Sequence, residues 1–77
     1  MSQLKNNLIR VNKMKNKLSQ LRKKAKITQA DLSDILHVSR QTVSSIENGH
    51  YSPALGLAFR ISKFFKKPIE EIFIYEE

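Results

Sequence analysis

The chain has 77 residues, 14 Lys or Arg against 7 Asp or Glu, a net charge of +7, and no cysteine. That length fits one domain with one small core. The absence of cysteine excludes disulfide staples and thiolate metal sites, and two histidines without a CxxC or HExxH pattern point to no metal or other cofactor. No stretch resembles a secretory h-region or a membrane-spanning run, so the expectation is a soluble cytoplasmic chain with no membrane role.

The charge is unevenly placed. Residues 1–27 hold nine basic side chains (Lys5, Arg10, Lys13, Lys15, Lys17, Arg22, Lys23, Lys24 and Lys26) and no acid, while Glu70, Glu71, Glu76 and Glu77 collect at the far end. Such a field suits a polyanion, although a plain solvated basic surface has the same composition. Residues 1–13 form a polar, basic arm that could be disordered, a short strand or a helical extension, since Leu4, Leu8 and Val11 keep helical spacing. The arm could enter a minor groove, touch phosphates or hang free.

A first helix is expected over 16–24, with Leu18, Leu21 and Ala25 inward and Ile27 plugging the core. Thr28 reads as an N-cap and Asp31 as its capping-box partner for a second helix, Gln29–Leu36. His37 occupies a turn that calls for positive φ, and histidine tolerates that region better than most residues. Ser39 caps a third helix over 40–48, which Asn48-Gly49 ends. Helix four begins near Pro53 and turns Leu55, Ala58, Ile61, Phe64 and Phe65 inward. Pro68 opens a short fifth helix to Phe73 with Glu70 and Glu71 at its positive end, and 73–75 is β-prone.

The centre of the chain carries the functional signal. In 29–49, QADLSDILHVSRQTVSSIENG, the apolar residues Leu32, Leu36, Val38, Val43 and Ile46 describe two helices crossing at a tight turn. Ser33 sits where the helices approach closely. The outward face of the second holds Arg40, Gln41, Ser44 and Ser45, short or planar groups able to bond base edges or phosphates. An ordinary helical bundle would show paired Glu and Lys there. A catalytic reading has no positioned nucleophile, acid pair or phosphate loop behind it.

LSQLRKKAKITQADLSDILHVSRQTVSSIENGHYSPAL, followed by IEEIF, resembles the Cro/repressor-type (XRE-like) helix-turn-helix family of λ-repressor-like DNA-binding domains over about four-fifths of the chain. The resemblance implies an all-α, five-helix domain over 14–77, with a short terminal β-ribbon (73–75 against 14–17) as an option. Relatives usually begin near Met14, which leaves 1–13 as an extra arm or the product of an upstream start codon. It implies that Gln29 bonds a phosphate and that Ser39, the cap of the recognition helix, is itself among the DNA-binding residues. Arg40, Gln41, Thr42, Ser44 and Ser45 would lie in the major groove, and Asn48, His50 and Tyr51 would anchor phosphates. Arg22 and Glu47 would pair from helix one to helix three. Phe64, Ile69, Ile72 and Phe73 exceed what a small core needs, so they are expected at a two-fold interface of a homodimer on double-stranded DNA. A repressor on a palindromic operator follows, with no small-molecule ligand evident. The rival readings are an antitoxin-like protein-interaction module with secondary DNA binding, and RNA or anionic-membrane binding through the arm.

Overall fold

A computed structural model describes residues 14–75, so the basic arm lies outside the described residues. In chain order the elements are β1 (Lys15–Asn16), α1 (Leu18–Lys24), α2 (Gln29–Leu36), α3 (Arg40–Glu47), α4 (Leu55–Phe65), α5 (Ile69–Ile72) and β2 (Phe73–Ile74). The strands pair antiparallel, Lys15 opposite Ile74 and Asn16 opposite Phe73. Five helices and the terminal ribbon are as the sequence implies.

Asn16 explains why α1 starts two residues later than expected. Its side-chain oxygen accepts from the Leu18 N–H at 3.1 Å, capping a helix whose N-cap residue, Lys17, makes no side-chain cap bond. Its Nδ2 donates to the Ile46 carbonyl at 2.8 Å and to the Met14 carbonyl at 3.0 Å. An asparagine that bonds nearby backbone in this way is better placed before a helix than inside it. The Met14 N–H reaches the Gly49 carbonyl at 3.0 Å, so the ribbon also grips the end of α3.

α2 begins with a complete capping box. Thr28 Oγ1 accepts from the Asp31 N–H at 3.0 Å, and Asp31 Oδ2 accepts from the Thr28 N–H at 2.9 Å. Those two bonds at an exposed helix start hold the Asp31 carboxyl below its usual range, the backbone bond from Thr28 most of all. α3 begins on Ser39, whose Oγ accepts from the Thr42 N–H at 3.0 Å.

Four helices close by one device. The N–H groups that follow α1, α2, α3 and α4 fold back to Arg22, Ser33, Ser45 and Ser62, each bridging five residues. This is the Schellman pattern, which places one residue in the left-handed region. After α3 that residue is Gly49 (φ 78), but elsewhere it is Lys26 (φ 62), His37 (φ 60) and Lys66 (φ 57). Each non-glycine there carries about 1–2 kcal/mol of backbone strain, partly offset because its unfolded chain is less free than glycine's.

Leu18, Leu32, Leu36, Val43, Ile46, Leu57, Ile61, Ile72 and Phe73 make one core, with Met14, Leu21, Ile27, Val38, Phe65 and Ile69 packed against it. Ser33 is buried at the α2–α3 crossing, and its hydroxyl donates to the Ala30 carbonyl at 2.7 Å. Three inward assignments change. Ala25 is exposed, because α1 has already turned into its closing bend. On α4 the inward stripe is Leu57, Ala58, Ile61 and Phe65, whereas Leu55 is 68% and Phe64 39% exposed. α4 starts after Ala54 rather than at Pro53, and in that phase position 57 faces the core. Pro68 is the N-cap of α5 rather than part of its first turn.

Candidate nucleic-acid interface

α2 and α3 are held at their angle by a polar knot as well as by the core. Arg22 on α1 donates from Nε to Glu47 Oε2 at 2.6 Å and from Nη2 to Oε1 at 3.2 Å, while its Nη1 reaches the Ile27 carbonyl at 3.0 Å. The side chains are only 11% and 5% exposed. Glu47's hydrogen bonds push the Arg22 guanidinium above its ordinary pKa, so it stays charged. Gln29 Nε2 also donates to Glu47 Oε1, at 3.1 Å. One carboxylate thus joins α1, the start of α2 and the last residue of α3. The Gln29 amide, expected to reach for a phosphate, is oriented by Glu47 and keeps one N–H and its oxygen for a partner.

From this knot α3 runs outward. Val43 and Ile46 face the core, Arg40, Gln41 and Asn48 are exposed, and Thr42, Ser44 and Ser45 are half-buried. Ser39, Gln41, Thr42, Ser45, His50 and Tyr51 line one shallow depression of about 350 Å³ along α3. The Ser39 and Thr42 hydroxyls bond each other across 2.9 Å. A second, wider groove of about 760 Å³ lies at the opening turn of the same helix, where Arg40 and Gln29 meet Arg22, Lys23 and Lys26. Asn48 is drawn elsewhere, to a hollow beside Lys15, Lys17 and Gln20 next to the ribbon. Ser44 lines neither of the first two and sits one turn from Arg40.

Eight of the ten expected contact residues therefore border two adjoining depressions at α3. Sequence reading did not assign Lys23 and Lys26 to the site. The signal was present as K-K-A-K immediately before Ile27, Thr28 and Gln29. Among the described residues no group of three His, Cys, Asp or Glu side chains could hold a metal, and no helix is long and apolar enough to cross a membrane.

The sequence pattern of the helix-turn-helix family matches residues 18–72, which spans α1 through α5. The chain belongs to the helix-turn-helix family. This helix-turn-helix protein is 56% identical over 64 residues to an uncharacterized HTH-type transcriptional regulator of Methanocaldococcus jannaschii, covering 83% of this chain and 97% of that one. It is 44% identical to the uncharacterized HTH-type transcriptional regulator YgzD of Bacillus subtilis, with the same coverages. The crystal structure of a transcriptional regulator from Listeria innocua shares the fold, with a TM-score of 0.74 at 22% identity over 86% of this chain and 64% of that one. The protein is a transcriptional regulator with a helix-turn-helix DNA-binding domain. The family relationship places it among DNA-binding transcriptional regulators.

The four residues expected at a dimer interface divide. Ile72 is fully enclosed and Phe73 is 8% exposed, both within the core. The expectation for these two is corrected: α5 is a single turn, and its last residue must turn inward for Phe73 to pair with Asn16. Phe64 remains exposed and packs edge-on against Phe65, their ring centres 4.9 Å apart; Ile69 is half-buried.

Proposed function

We propose that the protein reads a specific duplex sequence through α3 as a homodimer and represses transcription in the cytoplasm by occupying a palindromic promoter site. The observation that carries this is the row of uncharged hydrogen-bonding side chains (Ser39, Gln41, Thr42 and Ser45) along one depression on α3, with Arg40 at its head. Arg40 suits bidentate contact with guanine O6 and N7, and Gln41 suits adenine N6 and N7. With its hydroxyl tied to Ser39, Thr42 offers its methyl to a thymine methyl. His50 and Tyr51, just beyond α3, and Gln29 and Asn48 on either side face the phosphates. The binding domain comprises 14–77, and the basic segment 1–13 precedes it.

The dimer uses apolar surface the core leaves outside: Leu55 at 68%, Phe59 at 51% and Phe64 at 39% exposure on α4. Two-fold symmetry would set the α3 helices about 34 Å apart, one turn of B-DNA. Occlusion of a promoter requires no surface other than the one that holds DNA. The test begins by selecting a duplex from a random library with the purified protein. Arg40→Ala and Gln41→Ala should each lower selectivity for that duplex by about 1–3 kcal/mol at the base contacted. Unchanged selectivity in both variants would overturn base reading by α3. Phe59→Glu should shift sedimentation toward the monomer; an unshifted dimer rejects that surface.

A further inference from the structure

We infer that the turn between α1 and α2 is a second DNA-backbone grip, in which Lys23 and Lys26 hold phosphates outside the segment read by α3. The inference deepens the DNA-binding reading above and rests on it. Four cationic side chains (Arg22, Lys23, Lys26 and Arg40) border the groove of about 760 Å³ at the head of α3. Among the described residues only one of them is neutralised, since Arg22 is bound to Glu47. The two carboxylates nearby are both occupied, Glu47 by Arg22 and Gln29, and Asp31 by the Thr28 cap. Among the described residues no acid pairs with Lys23 or Lys26, and both are exposed.

The backbone supplies an independent observation. Lys26 stands in the left-handed region at φ 62, in a closing turn where glycine is the unstrained choice. Packing does not account for the lysine, because its side chain is exposed and meets no partner among the described residues. Lys66 stands in the same kind of turn away from the groove, so it is the position of Lys26 at the rim of a basic groove, beside Lys23 and Arg40, that points to an anion outside the chain. Arg40 shares that rim and opens the reading helix, so a duplex seated on α3 brings its sugar-phosphate strand past Lys26 and Lys23. Such contacts attract any sequence equally and lengthen the footprint without adding selectivity.

Lys26→Gly separates this role from a structural one, because it relieves the backbone while deleting the charge. The assay is fluorescence anisotropy on two short duplexes, one selected by the protein and one scrambled, across about 50–200 mM salt. Lys26→Gly and Lys23→Gln should each weaken both duplexes alike, roughly 3- to 10-fold near 0.1 M salt, and lower the slope of log K against log salt by about 0.9. The double variant should lower it by about 1.8. Lys26→Arg should keep the slope, Lys63→Gln on α4 should leave it alone, and thermal unfolding of Lys26→Gly should show no loss of stability. Unchanged affinity and slope in both lysine variants, with Arg40→Ala still impaired, would overturn the grip and leave the α3 reading standing. Loss confined to the selected duplex would overturn it too, as that marks a base contact. A parent protein that binds neither duplex, but binds single-stranded RNA or anionic vesicles through these lysines, would remove both readings together.

Discussion

Removing the Glu47 carboxylate gives the sharpest test of how the reading helix is held. In Glu47→Ala the Arg22 guanidinium, only 11% exposed, would keep the Ile27 carbonyl and lose both Glu47 oxygens, and Gln29 Nε2 would lose its acceptor. Stranding one member of an enclosed ion pair costs about 3–5 kcal/mol. A chain of 77 residues has only about 4–12 kcal/mol in total at 0.05–0.15 kcal/mol per residue. The variant should therefore lose about a quarter or more of its stability, and its Tm should fall by at least about 12 °C at 4–8 °C per kcal/mol. Replacing both partners with methionine leaves no stranded charge, so the double variant should be more stable than Glu47→Ala. Urea unfolding followed by circular dichroism on a cycle of Arg22→Met, Glu47→Met and the pair measures the coupling. A Glu47→Ala loss under about 1 kcal/mol, or single effects that add within about 0.5 kcal/mol, would refute the claim that this contact fixes α3.

Three further outcomes are expected. Because Asp31 is held below its usual pKa in the fold, its contribution is complete above the unfolded value near 4 and is lost as pH falls through and below it. Acid titration of the urea midpoint should thus be shallower in Asp31→Asn than in the parent, and parallel curves would contradict the capping box. His37→Gly should leave stability unchanged or raise it by up to about 1 kcal/mol, whereas His37→Val should lower it by more than about 1 kcal/mol in chemical denaturation; equal effects would mean the turn bears no left-handed strain. Asn16→Ala should cost about 1–3 kcal/mol, because the Leu18 N–H and the Ile46 carbonyl lose a partner together. Hydrogen exchange should then quicken at the end of α3 and the start of α1, and protection unchanged at both places would argue against the bridge.

The helix pair was the most legible part of the chain because its determinants are local. Thr28 with Asp31, Ser39 with the Thr42 N–H, and the positive φ of His37 are interactions within a few residues of one another. The phase of α4 was less legible: Leu55 and Leu57 both continue a helical stripe, and only the cap at Ala54 decides which faces inward. Asn16 was hidden for another reason. Its principal acceptor, the Ile46 carbonyl, lies 30 residues away, and backbone acceptors leave no trace in composition. The bond from Gln29 to Glu47 was masked by plausibility, since a glutamine opening a helix already had a phosphate assigned to it. The basic groove was visible only as a charge count, because linear charge does not say which lysines gather beside Arg40.

The ladder between Lys15 and Ile74 brings the two ends of the described segment within a strand spacing of each other. Antiparallel partners have Cα atoms about 4.5–5.5 Å apart, so a linker of a few glycines could join 75 to 14 and make the domain a ring. Cutting that ring between Lys66 and Lys67, both exposed and outside the depressions along α3, would yield a circular permutant that retains the α2–α3 pair uninterrupted. A protein fused directly before Met14 or after Tyr75 would be tethered at this shared seam.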